Sequence, residues 1–114
     1  MIQDIEIRSA IQRICMESVA TVISDPGNAG AIRATTSGTC LLIVGAAPET
    51  RTVGVPSFVG QVLVCCIDVT GGGTCSITPY GHAAVTLAHA GDTAILRAVR
   101  SGGVNVWRVT GSEL

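Results

Sequence analysis

Two histidines are the side chains of this 114-residue chain best suited to acid–base or metal chemistry. His82 and His89 lie seven positions apart, with Asp92 close to the second. A metal site usually needs three or four ligands, and no cysteine or carboxylate flanks either histidine at a recognised spacing. No serine lies in a Gly-x-Ser-x-Gly turn, and with only two histidines a catalytic triad has few ways to assemble. We therefore expect both histidines on the surface, in a loop or at a strand end.

Two further patterns could carry chemistry. Glu49 and Asp68 could act as a carboxylate pair in hydrolysis, but nothing in the sequence sets their separation. Gly71-Gly72-Gly73 lacks the lysine and the following helix of a phosphate-binding loop, and it is typical of a hairpin turn. The sequence therefore predicts no catalytic, cofactor-binding or metal-binding residues, no cofactor, and a protein that is not an enzyme.

The cysteines are odd in number and include no Cys-x-x-Cys pair. Cys65 and Cys66 are adjacent in a strand-like run, so their side chains should point to opposite faces and share neither a metal nor a disulfide. The acidic N-terminus lacks the order of charges of a signal peptide, which predicts use without secretion and reduced, buried thiols. The five are Cys15, Cys40, Cys65, Cys66 and Cys75.

The elements that must position these residues are β-strands separated by turns. Gln61–Val69 is the longest apolar run and predicts a central strand buried on both faces. Ser37-Gly38 and Ser101-Gly102-Gly103 indicate turns between neighbouring strands. Trp107 should pack across the sheet near Ile95 and Arg97, as a core aromatic or as an interface anchor. The spacing predicts an all-β fold, an antiparallel sandwich or barrel of jelly-roll type. The predicted strands are 31–36, 39–44, 51–55, 61–69, 74–78, 84–88, 94–99 and 104–109.

Residues 1–24 differ from the rest of the chain. Apolar residues recur there at helical spacing, which predicts a helix from about Asp4 to Ser18, although strand alternation fits part of the pattern. Val19–Ile23 is β-branched and predicts a strand. Asp25-Pro26-Gly27-Asn28 is a strong turn signal. We expect an N-terminal arm or helix over 1–24 and one β-domain over 25–114. The helical stripe comprises Ile7, Ala10, Ile11, Ile14 and Cys15.

The composition favours assembly over catalysis. Hydrophobic residues make up 47% and charged residues 13%, against a usual charged fraction of about 25%. A domain of this size leaves much of its surface exposed, so we expect some apolar surface to be buried against other chains; a well-packed monomer is the alternative. The net charge of −1 predicts no binding to nucleic acid or anionic membranes. No run approaches the roughly 18 apolar residues of a membrane helix.

Five segments follow one another in a characteristic order: Glu49–Val53, Pro56–Gln61, Gly71–Thr78, Ala90–Asp92 and Trp107–Val109. This order, over about residues 38–110, resembles small virion proteins of tailed bacteriophages, of the head decoration or cement type. The resemblance implies a non-enzymatic β-rich module, often a homotrimer, that sits on the capsid exterior after synthesis in the bacterial cytoplasm. Its partner would be the major capsid protein, whose neighbouring subunits it would tie together.

Two alternative functions remain open, together with a separate role for the N-terminal segment. A tail or fibre component of the virion would carry a similar module. A stand-alone carbohydrate-binding β-sandwich would need more exposed aromatic residues than one tryptophan, one tyrosine and one phenylalanine. Within the virion interpretation, residues 1–24 are the candidate for an arm that reaches a neighbouring subunit.

Overall fold

The computed structural model describes residues 21–113, which form nine β-strands in two sheets and contain no helix. The predicted helix over 4–18 lies outside these residues, as does most of the predicted arm. The predicted strand over 19–23 is described at its end only, where it forms β1. The strands are β1 Val22–Ile23, β2 Gly30–Ile32, β3 Gly38–Val44, β4 Glu49–Val53, β5 Val62–Thr70, β6 Cys75–Pro79, β7 Val85–Leu87, β8 Thr93–Ser101 and β9 Val104–Glu113.

The first six strands alternate between the two sheets. The five-stranded sheet has the order β1-β3-β5-β8-β9, and the four-stranded sheet has the order β2-β4-β6-β7. Each of β3 to β6 pairs in parallel with the strand two places earlier in the chain. The chain therefore winds through three stacked coils, in the manner of a β-solenoid. The strands β7, β8 and β9 then add antiparallel pairs to the two sheets.

The expected antiparallel, jelly-roll-like arrangement is wrong, because four of the seven strand pairs are parallel. Ser37-Gly38 and Gly71-Gly72-Gly73 are not hairpin turns, since each leads from a strand of one sheet to a strand of the other. Ser101-Gly102-Gly103 does form the expected hairpin between β8 and β9. Neither sheet closes on itself within residues 21–113. Glycine-rich turns reverse the chain locally but leave open which sheet it enters.

The core lies between the two sheets and takes side chains from both. On β5, Leu63, Cys65 and Ile67 are buried, whereas the alternate residues are half-buried. The predicted central position of this strand is confirmed, and its predicted burial on both faces is wrong. The opposite orientation of Cys65 and Cys66 is confirmed. Largest among the fully buried side chains are Trp107, Arg51, Ile32, Leu42, Leu63, Ile67, Ile77, Leu87, Leu96 and Gln61.

The loops that connect the sheets stack directly on one another. Gly71 N–H donates to the carbonyl oxygen of Val44 at 3.0 Å, and Gly73 N–H donates to that of Gly45 at 2.9 Å. A Cβ atom on Gly73 would overlap the carbonyl oxygen of Ala47. The third glycine of the triplet is therefore required by the close approach of two successive coils.

Candidate functional site

Within residues 21–113, the exposed apolar side chains outside the strands are most concentrated in the eight-residue connection between β4 and β5. We call Val55–Gly60 the apolar loop. Val55, Phe58 and Val59 are 58%, 44% and 55% exposed. Single exposed apolar residues are ordinary on protein surfaces, but a cluster of them marks a contact site for another molecule.

Buried Gln61 holds the apolar loop from beneath. Its Nε2 donates to the carbonyl oxygens of Ala34 and Thr36 at 3.1 and 2.9 Å, and its Oε1 accepts the Ser57 N–H at 2.8 Å. The side chain has no exposed surface. These three bonds occupy both ends of the amide and join the loop to the segment that leads from β2 to β3.

Backbone and tryptophan contacts fasten the two ends of the loop. Gly60 N–H donates to the carbonyl oxygen of Ala98 at 2.9 Å, and Ala98 N–H donates to that of Gln61 at 2.8 Å. At the other end, the indole Nε1–H of Trp107 donates to the carbonyl oxygen of Gly54 at 2.8 Å. Trp107 is 1% exposed and lies opposite Ala98 on β8. Ala98 is next to Arg97, one of the two residues near which Trp107 was expected to pack. The core interpretation of Trp107 is confirmed.

Two clefts open near the first coil. One, of about 300 Å³, lies beside the base of the apolar loop and is lined by residues 31–35 and 53–55 together with Trp107. The other, of about 430 Å³, is lined by residues 21–24, Pro26, Ala31 and 33–36. Arg33 is the single ionisable residue among the described residues that line them. Among the described residues, the lining of these clefts therefore provides hydroxyl groups and one arginine but no acid–base pair.

The most deeply buried charged residue of residues 21–113 is Arg51, whose side chain has no exposed surface and lies at the centre of an ionic cluster. Its Nε lies 2.7 Å from Asp25 Oδ1, and its Nη2 lies 3.1 Å from Asp25 Oδ2 and 3.0 Å from Glu49 Oε1. Its Nη1 and Nη2 also donate to the carbonyl oxygens of Thr50 and Ile43, at 3.1 and 3.3 Å. Such bidentate, charge-assisted bonds offset the cost of burying a cation.

The two carboxylates of this cluster are held ionised. Burial alone would raise the pKa of Asp25, but hydrogen bonds from Arg51 and from the N–H groups of Ile43 and Gly27 outweigh it and keep that pKa below its usual range. The Gly45 N–H and then Arg51 lower the pKa of Glu49. The cluster joins the turn after β1, strand β3 and strand β4, so its arrangement is that of a structural cross-link.

The sequence did not predict that Arg51 and Gln61 are buried and connect separate segments of the fold through hydrogen bonds. The alternation of β4 could have indicated that Arg51 is buried. Thr50 and Thr52 are exposed, whereas Arg51 and Val53 share the inward face. For Gln61, the signal was its place at the start of the longest apolar run. Every buried side-chain nitrogen or oxygen in residues 21–113 has a hydrogen-bond partner.

The residues considered for chemistry from the sequence do not converge. His89 Nδ1 lies 3.6 Å from Asp92 Oδ2, and the His89 side chain is 83% exposed. Asp92 Oδ2 instead accepts the N–H groups of Ala88 and His89, at 2.9 and 3.0 Å, and so closes a turn. His82 lies in the turn after β6, with Nδ1 2.8 Å from the carbonyl oxygen of Ala83. The expected positions of both histidines, in loops between strands, are confirmed.

Glu49 and Asp68, which the sequence offered as a possible carboxylate pair, lie in two different sheets. Glu49 belongs to the Arg51 cluster in the four-stranded sheet, whereas Asp68 is exposed on β5 of the five-stranded sheet. Residues 21–113 hold no group of three or more histidine, cysteine or carboxylate side chains placed to bind a metal ion. The four cysteines in this part of the chain are free thiols.

The chain matches no protein-family model, and searches of the curated proteins and of the solved structures find no significant match. Among residues 21–113, no helix has the length and apolar character to cross a membrane. The geometry of the apolar loop, together with the resemblance noted in the sequence, is the basis for a functional proposal.

Proposed function

We propose that this chain is a non-enzymatic structural protein of a tailed-bacteriophage virion, of the head decoration or cement type. It acts as a homotrimer of two-sheet β-sandwich modules on the capsid exterior. Its partner is the major capsid protein, and its role is to tie neighbouring capsid subunits together.

The exposed apolar loop is the observation that carries this proposal. Phe58 and Val59 stand in the segment Pro56–Gln61, which is one of the segments of the resemblance. Aromatic and aliphatic side chains at the centre of a contact supply most of the binding energy in protein interfaces. The chain has a single phenylalanine, and it lies in this loop with 44% of its surface exposed.

The rigid support of the loop favours binding over a role as a simple connector. Gln61, Ala98 and Trp107 hold its two ends through backbone and side-chain hydrogen bonds. A loop that is ordered before binding loses little conformational entropy when it docks. Three such loops in a trimer would engage several capsid subunits together and gain affinity through avidity.

The use of the charged residues also supports a structural role. Arg51, Asp25 and Glu49 bond to one another and to backbone groups. Asp92 binds the backbone of its own turn. In catalysis, by contrast, charged groups face a bound reactant.

The test uses the purified full chain, with heads and tails of the encoding phage prepared separately and without this protein. We expect a trimer mass by light scattering in reducing buffer, and co-sedimentation with heads. Phe58→Ser should weaken head binding by about tenfold or more, because it removes the central anchor. Val69→Ser is the matched control, since Val69 is 53% exposed near the end of β5 that points away from the apolar loop.

A stable monomer would overturn the homotrimer. Binding to tails alone would overturn the head assignment in favour of a tail or fibre component. Failure to bind either particle would overturn the virion proposal and direct attention to a stand-alone ligand-binding module. Equal loss of binding in both variants would overturn the role of the apolar loop.

A further inference from the structure

Four arginines of residues 21–113 lie at the same end of the two sheets as the apolar loop. We call this the loop end, and it is where β4 ends and β5 begins. Arg97 on β8 is opposite Val62, the first residue of β5, and Arg108 on β9 is opposite Arg97. Arg100 lies further along β8, towards the hairpin. Arg33 directly follows β2, which runs parallel to β4 and ends level with it.

The carboxylate residues of the described part of the chain lie at the opposite end, which we call the far end. The strands β3, β5 and β9 end there, and β4 and β8 begin there. Each acidic residue between positions 21 and 113 is in one of these strand ends or beside it, so the loop end has none. The set comprises Asp25, Glu49, Asp68, Asp92 and Glu113.

The two ends are electrostatically separate in physiological salt. Val62 and Asp68 are six residues apart on β5, a distance of about 20 Å along a strand. The Debye length at physiological ionic strength is only about 8 Å. The net charge of −1 therefore averages over regions of opposite sign, and a partner at the loop end meets the positive charge alone.

Two of the loop-end arginines bond to neutral groups. Arg108 Nη1 donates to the carbonyl oxygens of Gly81 and Trp107, each at 2.9 Å. Arg100 Nη1 donates to Asn105 Oδ1 at 3.1 Å. These bonds fix the direction of the two guanidinium groups, but they supply no opposite charge.

The other two, Arg33 and Arg97, are exposed and have no side-chain hydrogen bond or ion pair within residues 21–113. In this part of the chain, ion pairs involve Arg51 and His89 only. Arg33 also lines both clefts beside the apolar loop. The loop end therefore combines an exposed apolar loop with arginines that no carboxylate of residues 21–113 neutralises.

Three of the arginines are next in sequence to residues that hold the apolar loop. One of these neighbours accepts a hydrogen bond from the Ser57 hydroxyl, one accepts the Gly60 N–H, and one donates its indole N–H to the Gly54 carbonyl oxygen. The positive charges thus surround the exposed side chains of the loop. The adjacent pairs are Arg33–Ala34, Arg97–Ala98 and Trp107–Arg108.

We propose that the loop end docks on an acidic protein surface, whose carboxylates pair with these arginines around an apolar contact made by Phe58 and Val59. This inference rests on the proposed function and gives the chemistry of the partner: the major capsid protein presents carboxylates around the site that receives the apolar loop. The arginine fork suits carboxylates. An apolar centre with a charged rim is the arrangement of protein interfaces, whereas non-specific binding to nucleic acid depends on phosphate contacts alone.

Association kinetics of the full chain with immobilised heads that lack this protein provide the test. The Arg33→Gln, Arg97→Gln double variant should associate about tenfold or more slowly at low salt, because complementary charge steers the encounter. The difference should shrink between about 0.1 M and about 1 M sodium chloride, as the screening length falls from about 10 Å to about 3 Å. Urea unfolding should be unchanged, since neither arginine bonds within residues 21–113.

The Ala46→Glu, Ala90→Glu double variant is the matched control. Both alanines are exposed in connections at the far end, and the substitutions lower the net charge by the same amount as the arginine variant. Its association rate should stay within about twofold of that of the unmodified chain, because the far end is screened from the contact. Phe58→Ser should instead raise the dissociation rate, since it removes contact area rather than charge.

Equal association rates for the arginine variant and the unmodified chain at low salt would overturn this inference and leave the head assignment intact. Equal slowing in the alanine variant would also overturn it, because net charge rather than the loop end would then govern the encounter. A failure to bind heads would overturn both this inference and the proposed function. If the chain then bound a double-stranded DNA fragment and the arginine variant did not, the loop end would be assigned to nucleic acid.

Discussion

Arg51 and Asp25 meet through two parallel contacts inside the fold, Nε to Oδ1 at 2.7 Å and Nη2 to Oδ2 at 3.1 Å. Asp25 Oδ2 also accepts the Ile43 N–H at 2.9 Å. The pair therefore joins strand β4 of one sheet to strand β3 of the other through the turn that follows β1. This ion pair thus links the first two coils of the chain, in addition to the pairing of their strands.

Arg51→Met should lower the free energy of unfolding by about 1.5–3 kcal/mol, because it removes the charge-assisted hydrogen bonds of the partly buried Asp25 carboxylate. Urea unfolding at neutral pH measures the change. Arg100→Met is the control, since Arg100 is exposed and bonds to Asn105 Oδ1 at 3.1 Å. Equal stability of the two variants would contradict a structural role for the buried pair.

Stability should fall on acidification. The folded-state pKa values of Asp25 and Glu49 lie below their ordinary values of 3.8 and 4.5. The folded chain therefore binds fewer protons than the unfolded chain, and stability rises with pH in this range. The contribution is complete above pH 4.5 and is lost as the pH falls through the lower folded values. Unfolding between pH 6 and pH 3 should show a smaller decrease in the Asp25→Asn, Glu49→Gln double variant.

Gly73→Ala should destabilise the protein by about 1–3 kcal/mol or more, because the new methyl group would overlap the Ala47 carbonyl of the preceding coil. Thermal unfolding measures the change. Gly54→Ala is the matched control, since nothing lies within 4 Å of a Cβ atom at that position and its φ is ordinary. A similar small effect for both glycines would show that the coils can separate at this point.

Gln61→Ala should release the apolar loop. The carbonyl oxygens of Ala34 and Thr36 and the N–H of Ser57 would lose their partner, at a cost of about 1–3 kcal/mol for buried groups left unpaired. Amide hydrogen exchange should accelerate in residues 55–60. Ser57→Ala removes only the exposed hydroxyl bond to Ala34, so it should change exchange little. An unchanged rate of amide hydrogen exchange in the Gln61 variant would contradict the view that Gln61 holds the apolar loop in place.

Cys40, Cys65 and Cys75 should react with a thiol reagent only when the protein unfolds. Burial raises the pKa of Cys40 to about 11 and raises the pKa of Cys65 and Cys75 as well. Little thiolate is therefore present near neutral pH, and the sulfur atoms are enclosed. Labelling followed by peptide mass spectrometry across a urea series should modify these three thiols together, at the unfolding transition. Modification of one of them in native buffer would contradict this prediction.

The sequence by itself determined the strand content and where the chain turns. Gln61–Val69 lies at the centre of a sheet, Ser101-Gly102-Gly103 forms a hairpin, and Trp107 lies in the core. These features depend on local alternation and on the turn preferences of glycine, which the order of residues records directly.

The tertiary structure alone decided which strands pair, in which direction, and which polar residues are buried. Strands pair through backbone N–H and C=O groups that almost every residue carries, so a parallel neighbour and an antiparallel one leave the same alternation. The burial of Arg51 and Gln61 depends on carboxylate and carbonyl groups that the winding of the coils brings to them from Asp25, Ala34 and Thr36. Those partners are 25 to 27 positions away along the chain, and only the folded backbone places them within hydrogen-bond distance.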